Sequence, residues 1–111
     1  MRPFIAHYVA ELEGVDNKQI NNPKLFLQSM LAVAKKLHLT LVDKPHIHCF
    51  KPHGLSLIFI LAESHLAAHT WPEKNFMNVD IQVCSAQVSL KQLGPLLKKQ
   101  FNPTIISCGP V

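Results

Sequence analysis

The chain has 111 residues, 48% hydrophobic and 16% charged, with a formal net charge of +4. That is enough for one domain with a real core, leaves little room for a second and makes no case for disorder. The basic residues are dispersed: Lys35-Lys36 and Lys98-Lys99 are the close pairs, each inside a helical pattern, so solvated helix faces are expected rather than a nucleic-acid surface. The longest uninterrupted apolar run, 57–62, is far short of the roughly 20 residues of a membrane span. The N-terminal M-R-P-F-I-A-H-Y-V-A-E-L is too short and polar for a signal peptide. Cys49, Cys84 and Cys108 are odd in number and lack C-x-x-C spacing, so reduced thiols in a soluble, cytoplasmic protein are expected. So small a domain offers a metabolite only a shallow site, which favours one shared between subunits.

In chain order, residues 4–12 read as a strand, and Gly14 with D-N-K-Q-I-N-N-P breaks it. Pro23 suits a first helical turn, and Leu27, Met30, Leu31, Ala34 and Leu37 continue at helical spacing. Residues 39–42 and 46–50 read as strands, with a turn at Pro52 and Gly54. An apolar strand over 55–62 is expected near the sheet centre, with another over 64–71 closed by Pro72. Val79, Ile81 and Val83 alternate with polar partners, as in a half-buried strand. A helix is expected over 89–100 and a short strand at 105–106. This order predicts an α+β fold: a two-layer sandwich with a largely antiparallel sheet and helices packed on one face.

The chemistry concentrates in 54–84: G-L-S at 54–56, A-E-S-H-L-A-A-H-T-W-P-E at 62–73, and V-D-I-Q-V-C at 79–84. With these motifs and their spacing, the chain resembles the prokaryotic S-adenosylmethionine decarboxylase family, whose hallmark is E-S-H…H-T-W-P-E followed by a V-D…C strand. More loosely the likeness extends over almost the whole chain. It implies a single domain, 1–111, that cuts itself between Glu63 and Ser64 into a β chain, 1–63, and an α chain, 64–111. Ser64 becomes a pyruvoyl cofactor, and the enzyme decarboxylates S-adenosylmethionine to the aminopropyl donor for spermidine synthesis, as a homodimer of cleaved protomers.

The chemistry explains the residue types. Loss of CO₂ from an α-amino acid leaves a carbanion that needs an electron sink, which a pyruvoyl ketone supplies through a Schiff base with the substrate amine. The Ser64 hydroxyl attacks the Glu63 carbonyl to give an ester. Removal of the Ser64 α-proton expels the Glu63 carboxylate, and the dehydroalanine hydrolyses to pyruvoyl and ammonia. These steps need oxyanion donors and a base. By resemblance, Ser56 and His69 serve processing, with His69 as the base for the α-proton. Cys84 matches the thiol that reprotonates the substrate carbon. Phe50 is a candidate adenine-stacking surface and Glu73 a partner for polar groups of the substrate.

Other readings compete. Seven histidines suggest metal, with His46 and His48, or His65 and His69, on one strand face; the resemblance accounts for His69 without one, and no metal is expected. Cys49 and Cys108 read as buried thiols, His46 and His53 as surface residues, and Phe50 and Trp71, taken singly, as core aromatics. Lys74 to Asn78 depart from the family's tyrosine, glycine, aromatic and small residues, and Ser85-Ala86 follow the cysteine where glycine is usual. An inward Lys74 would repel a cationic substrate. The alternative is the same pyruvoyl chemistry on another amino acid, such as ornithine or arginine, and a non-catalytic ligand-binding or regulatory homologue is the alternative class.

Overall fold

The computed structural model describes residues 2–111. Six strands form one antiparallel sheet: β1 (Ala6–Glu13), β2 (His46–Cys49), β3 (Leu55–Leu61), β4 (Ser64–Trp71), β5 (Phe76–Val83) and β6 (Ile105–Pro110), in the spatial order β2-β3-β4-β5-β1-β6. The helices are α1 (Asn17–Ile20), α2 (Pro23–Lys36) and α3 (Leu93–Phe101), and a 3-10 turn spans Pro72–Lys74.

Alternation decides which face is which. Leu55, Leu57, Phe59 and Leu61 of β3 are buried, as are Leu66 and Ala68 of β4 and Met77, Val79, Ile81 and Val83 of β5. They join one apolar cluster with Phe26, Met30 and Val33 of α2 and with Leu93, Leu97 and Phe101 of α3. The Phe26 and Phe101 rings meet at 5.8 Å and tie the two helices together. The intervening residues, among them His7, Ser56, Ile58, Ile60, His65, His69 and Asp80, face away from this cluster and keep part of their surface in solvent. The result is the expected two-layer α+β sandwich, one sheet face covered by helices and the other open.

Local chemistry accounts for the boundaries. The Asn22 side chain accepts a hydrogen bond from Leu25 N–H at 3.1 Å, Pro23 opens the first turn of α2, and Lys35 and Lys36 lie in its last turn. Gly14 has φ +71°, and a Cβ there would lie 2.0 Å from Thr104 Oγ1, so no other residue fits the corner after β1.

Several expectations need correction, four of them about element boundaries. Residues 39–42 form no strand. Leu41 makes an isolated bridge to Leu61, and the segment is a strap along the end of β3. Within the stretch read as a break, Asn17–Ile20 makes one helical turn, capped by the Asp16 side chain on Lys18 N–H at 3.0 Å. The last helix starts at Leu93, because the Ser85 and Ser89 hydroxyls accept from the backbone two residues on and favour turns. The final strand runs on to Pro110 because Tyr8 to Glu13 pair with it throughout. At the side-chain level, Cys49 and Cys108 are exposed rather than buried, because they sit on the two edge strands, β2 and β6. Phe50 and Trp71 are likewise exposed, at 51% and 36%, and are not core aromatics. Strand β3 lies next to the β2 edge, while β4 and β5 hold the centre.

Candidate active site

The expected site residues fall into two groups at opposite ends of β4. At one end β3 turns into β4 through only two residues, Ala62 and Glu63, because Leu61 pairs with Ser64. The strap holds this turn from one side. Ala62 N–H donates to Thr40 O at 2.8 Å, and Thr40 N–H donates to a Glu63 carboxylate oxygen at 3.1 Å. From the other side Cys84 N–H donates to the Glu63 backbone carbonyl at 2.8 Å. Ser64 has φ 151°, a conformation that side-chain-bearing residues avoid and that costs about 1–3 kcal/mol. The Glu63–Ser64 peptide is thus clamped at its carbonyl and strained at its serine. The exposed Cys84 thiol follows directly after Val83, the pairing partner of Ser64 on β5.

At the other end Ser56 and His69 pair across β3 and β4, with Ser56 Oγ 2.7 Å from His69 Nδ1. A cleft of about 500 Å³ opens beside them, lined by Phe50, Ser56, His69, Trp71 and Glu73 among others. Its rim is aromatic: the His48 and Phe50 rings meet edge-on at 4.6 Å, and Trp71 lies 5.5 Å from Phe76. The floor is set by Thr70, whose buried hydroxyl accepts from Leu55 N–H at 2.9 Å. Glu73 is held by His53 at 3.1 Å. Lys74 is exposed and does not line the cleft.

The register keeps the two groups apart. His69 lies five residues after Ser64 along β4, about 16 Å at the rise of an extended strand. Glu63, Ser64 and Cys84 come together, as do Ser56, His69, Phe50 and Glu73, but the chain does not join the two sets within itself.

Four polar residues near these groups were not singled out from sequence for a role at the site. His7 Nε2 lies 3.0 Å from Asp80 Oδ1, and His65 Nε2 lies 3.9 Å from the same oxygen. His65 Nδ1 is 3.3 Å from Ser64 Oγ. Asn78, directly across from His69, has a buried side-chain oxygen without a hydrogen-bond partner. The adjacency of His65 to Ser64 was visible in E-S-H, but the 73-residue separation of His7 and Asp80 hid their contact. Among the described residues, no three His, Cys, Asp or Glu side chains form a group that could hold a metal ion. The two histidine pairs weighed as zinc ligands are instead engaged separately, His46 with Asp43 at 3.0 Å and His69 with Ser56.

Comparison with known proteins identifies the family. A family model described as S-adenosylmethionine decarboxylase matches residues 6–109. A protein from Archaeoglobus fulgidus, named S-adenosylmethionine decarboxylase proenzyme, is 34% identical over 97 residues, covering 87% of this chain and 86% of its own. One of the same name from Aquifex aeolicus is 32% identical over 97 residues, covering 87% of this chain and 71% of its own. The crystal structure of the adenosylmethionine decarboxylase from Aquifex aeolicus superposes with a TM-score of 0.87 at 28% identity, over 100% of this chain and 91% of that one. With this match along nearly its whole length, the chain belongs to the S-adenosylmethionine decarboxylase family.

Proposed function

We propose that the chain is a proenzyme that cuts itself between Glu63 and Ser64, gains a pyruvoyl group from Ser64, and decarboxylates S-adenosylmethionine. The carrying observation is the clamped turn: the Glu63 carbonyl on Cys84 N–H at 2.8 Å, next to a serine at φ 151°. As the Ser64 hydroxyl adds to that carbonyl, negative charge develops on the oxygen that the Cys84 amide already faces. Breaking the Glu63–Ser64 peptide also releases the backbone strain at Ser64, which favours product over precursor. These features fit a serine that becomes a pyruvoyl group, whose ketone supplies the electron sink for decarboxylation. His69, its Nδ1 tied to Ser56, takes the Ser64 α-proton, and Cys84 Sγ returns a proton to the substrate carbon after CO₂ leaves.

Because His69 and Ser64 of one chain are about 16 Å apart, this chemistry needs two copies. We assign the active enzyme to a homodimer in which the open sheet faces stack about a two-fold axis, bringing the Ser64 end of one protomer against the Ser56–His69 end of its partner. The exposed Ile58 and Ile60 on that face support such an interface. The cleft lined by Phe50, Trp71 and Glu73 then receives the substrate, with aromatic faces for the adenine and the sulfonium and a carboxylate for a cationic group. Exposed Lys74 leaves a cationic group in the cleft unopposed, and the aromatic faces of Phe50 and Trp71 suit an adenine ring that ornithine and arginine lack. Neither a nucleic-acid partner nor a membrane is needed, and reduced thiols point to the cytoplasm. Release of labelled CO₂ from the three substrates at equal concentration tests the assignment. A preference of about tenfold or more for ornithine or arginine, roughly 1.4 kcal/mol in transition-state binding, would replace the substrate and leave the self-cleavage intact.

A further inference from the structure

His69 answers for the α-proton, but the first step of self-cleavage needs its own base: the Ser64 hydroxyl must lose a proton as it attacks. His65 stands beside it on the same chain. Its Nδ1 is 3.3 Å from Ser64 Oγ, and its Nε2 faces Asp80 Oδ1 at 3.9 Å. One tautomer serves both contacts: with the proton on Nε2, Nδ1 accepts the serine O–H and Nε2–H points at the carboxylate. Asp80 is anchored in turn by His7 Nε2 at 3.0 Å. The register explains the convergence. His65, Gln82 and His7 lie in one row across β4, β5 and β1, and Asp80 sits two residues before Gln82 on the same open face.

We propose that His65 is the general base for the attack of Ser64 on Glu63, with Asp80 and His7 as positioning residues that hold its ring. This rests on the self-cleavage reading above and extends it to a residue for which that reading has no role. The Ser64 hydroxyl proton passes to His65 Nδ1 as Oγ bonds to the Glu63 carbonyl carbon. The C–N bond then breaks, and the same proton returns to the departing Ser64 nitrogen. Amide becomes ester plus amine, with no net proton consumed. The Asp80 carboxylate stabilises the transient imidazolium, as the third member of a serine–histidine–acid arrangement does. One Glu63 carboxylate oxygen is turned to Thr40 N–H on the strap side, whereas His65 Nδ1 already stands at the serine oxygen.

The test is a time course of conversion of the full chain to two fragments by intact mass, with and without hydroxylamine, for wild type, His65→Gln and Asp80→Asn. Hydroxylamine cleaves an ester but not the peptide, so it separates ester formation from the later elimination. All samples are taken at concentrations where light scattering gives the wild-type assembly and thermal melting is unchanged; His65, 42% exposed in the single chain, is outside the core. His65→Gln should cleave about 100-fold more slowly, and hydroxylamine should not restore the rate. Asp80→Asn should slow the same step by a smaller factor, again without hydroxylamine rescue. His65→Gln cleaving at the wild-type rate, or slow cleavage that hydroxylamine restores, overturns the proposal, since the ester would then form without His65. Wild-type chain that stays whole would instead remove the self-cleavage reading itself, and this proposal with it.

Discussion

At Ser64 the hydroxyl is the proposed nucleophile on the preceding carbonyl. Ser64→Ala should therefore remain a single chain under conditions where wild type splits, which denaturing gels resolve directly. Cys84 contributes two separable groups. Its backbone N–H holds the Glu63 carbonyl at 2.8 Å, and its exposed thiol is free for chemistry on substrate. Cys84→Ala keeps the first and deletes the second, so it should still cleave at least in part while CO₂ release falls by about 100-fold. Normal turnover in Cys84→Ala would remove the thiol from the mechanism. These residues could be proposed from the sequence because E-S-H, H-T-W-P-E and the later cysteine stand at the spacing of one family's motifs. The amide of Cys84 was not, since any residue has a backbone N–H and only the fold decides where it points. Nor was the exposure of Cys49 and Cys108: a cysteine looks apolar in a sequence, whereas an edge strand leaves it in solvent. Desolvation of the Cys108 sulfur still pushes its thiol up, against the lowering effect of a backbone hydrogen bond from Gly94.

The elements that hold the site differ in how plainly periodicity announces them. Strands β3, β4 and β5 show their alternation or apolar density, and α2 shows a 3.6-residue spacing between Asn22 and the paired lysines. Four residues, as in α1, are too few to carry a period, and the 39–42 run is apolar for a different reason: it packs along the end of β3 and braces the cleavage turn. Corners are decided by single residues. Gly14→Ala introduces a Cβ against Thr104 at a φ of +71°, so it should lower stability by about 1–3 kcal/mol in urea denaturation. An unchanged midpoint would mean that the β1 corner and its Thr104 contact are arranged differently.

For the whole molecule, the separation of Ser64 from His69 makes assembly part of the proposed chemistry. No residue pattern announces this, because motif spacing along the chain says nothing about which end of a strand each residue occupies. A shared site predicts complementation. Alone, Ser64→Ala should stay whole and His69→Ala should cleave poorly, but in mixed dimers the His69→Ala chain supplies Ser64 and the Ser64→Ala chain supplies His69. Cleavage of the His69→Ala chain should recover on co-expression, read by mass spectrometry of the distinct fragments. No recovery in dimers shown to be mixed would place both residues in one chain's site, against the register of β4. Light scattering should give at least a dimer at working concentrations; an active monomer would have the same consequence.

The proposed self-cleavage between Glu63 and Ser64 underlies the rest of the proposed chemistry, and intact mass spectrometry of the purified chain after prolonged incubation tests it most directly. The expected result is two species from the 111-residue chain, residues 1–63 ending in a free carboxylate and residues 64–111 beginning with a pyruvoyl group that lacks a primary amine. A single full-length species, or a cut at any other peptide bond, would contradict the account.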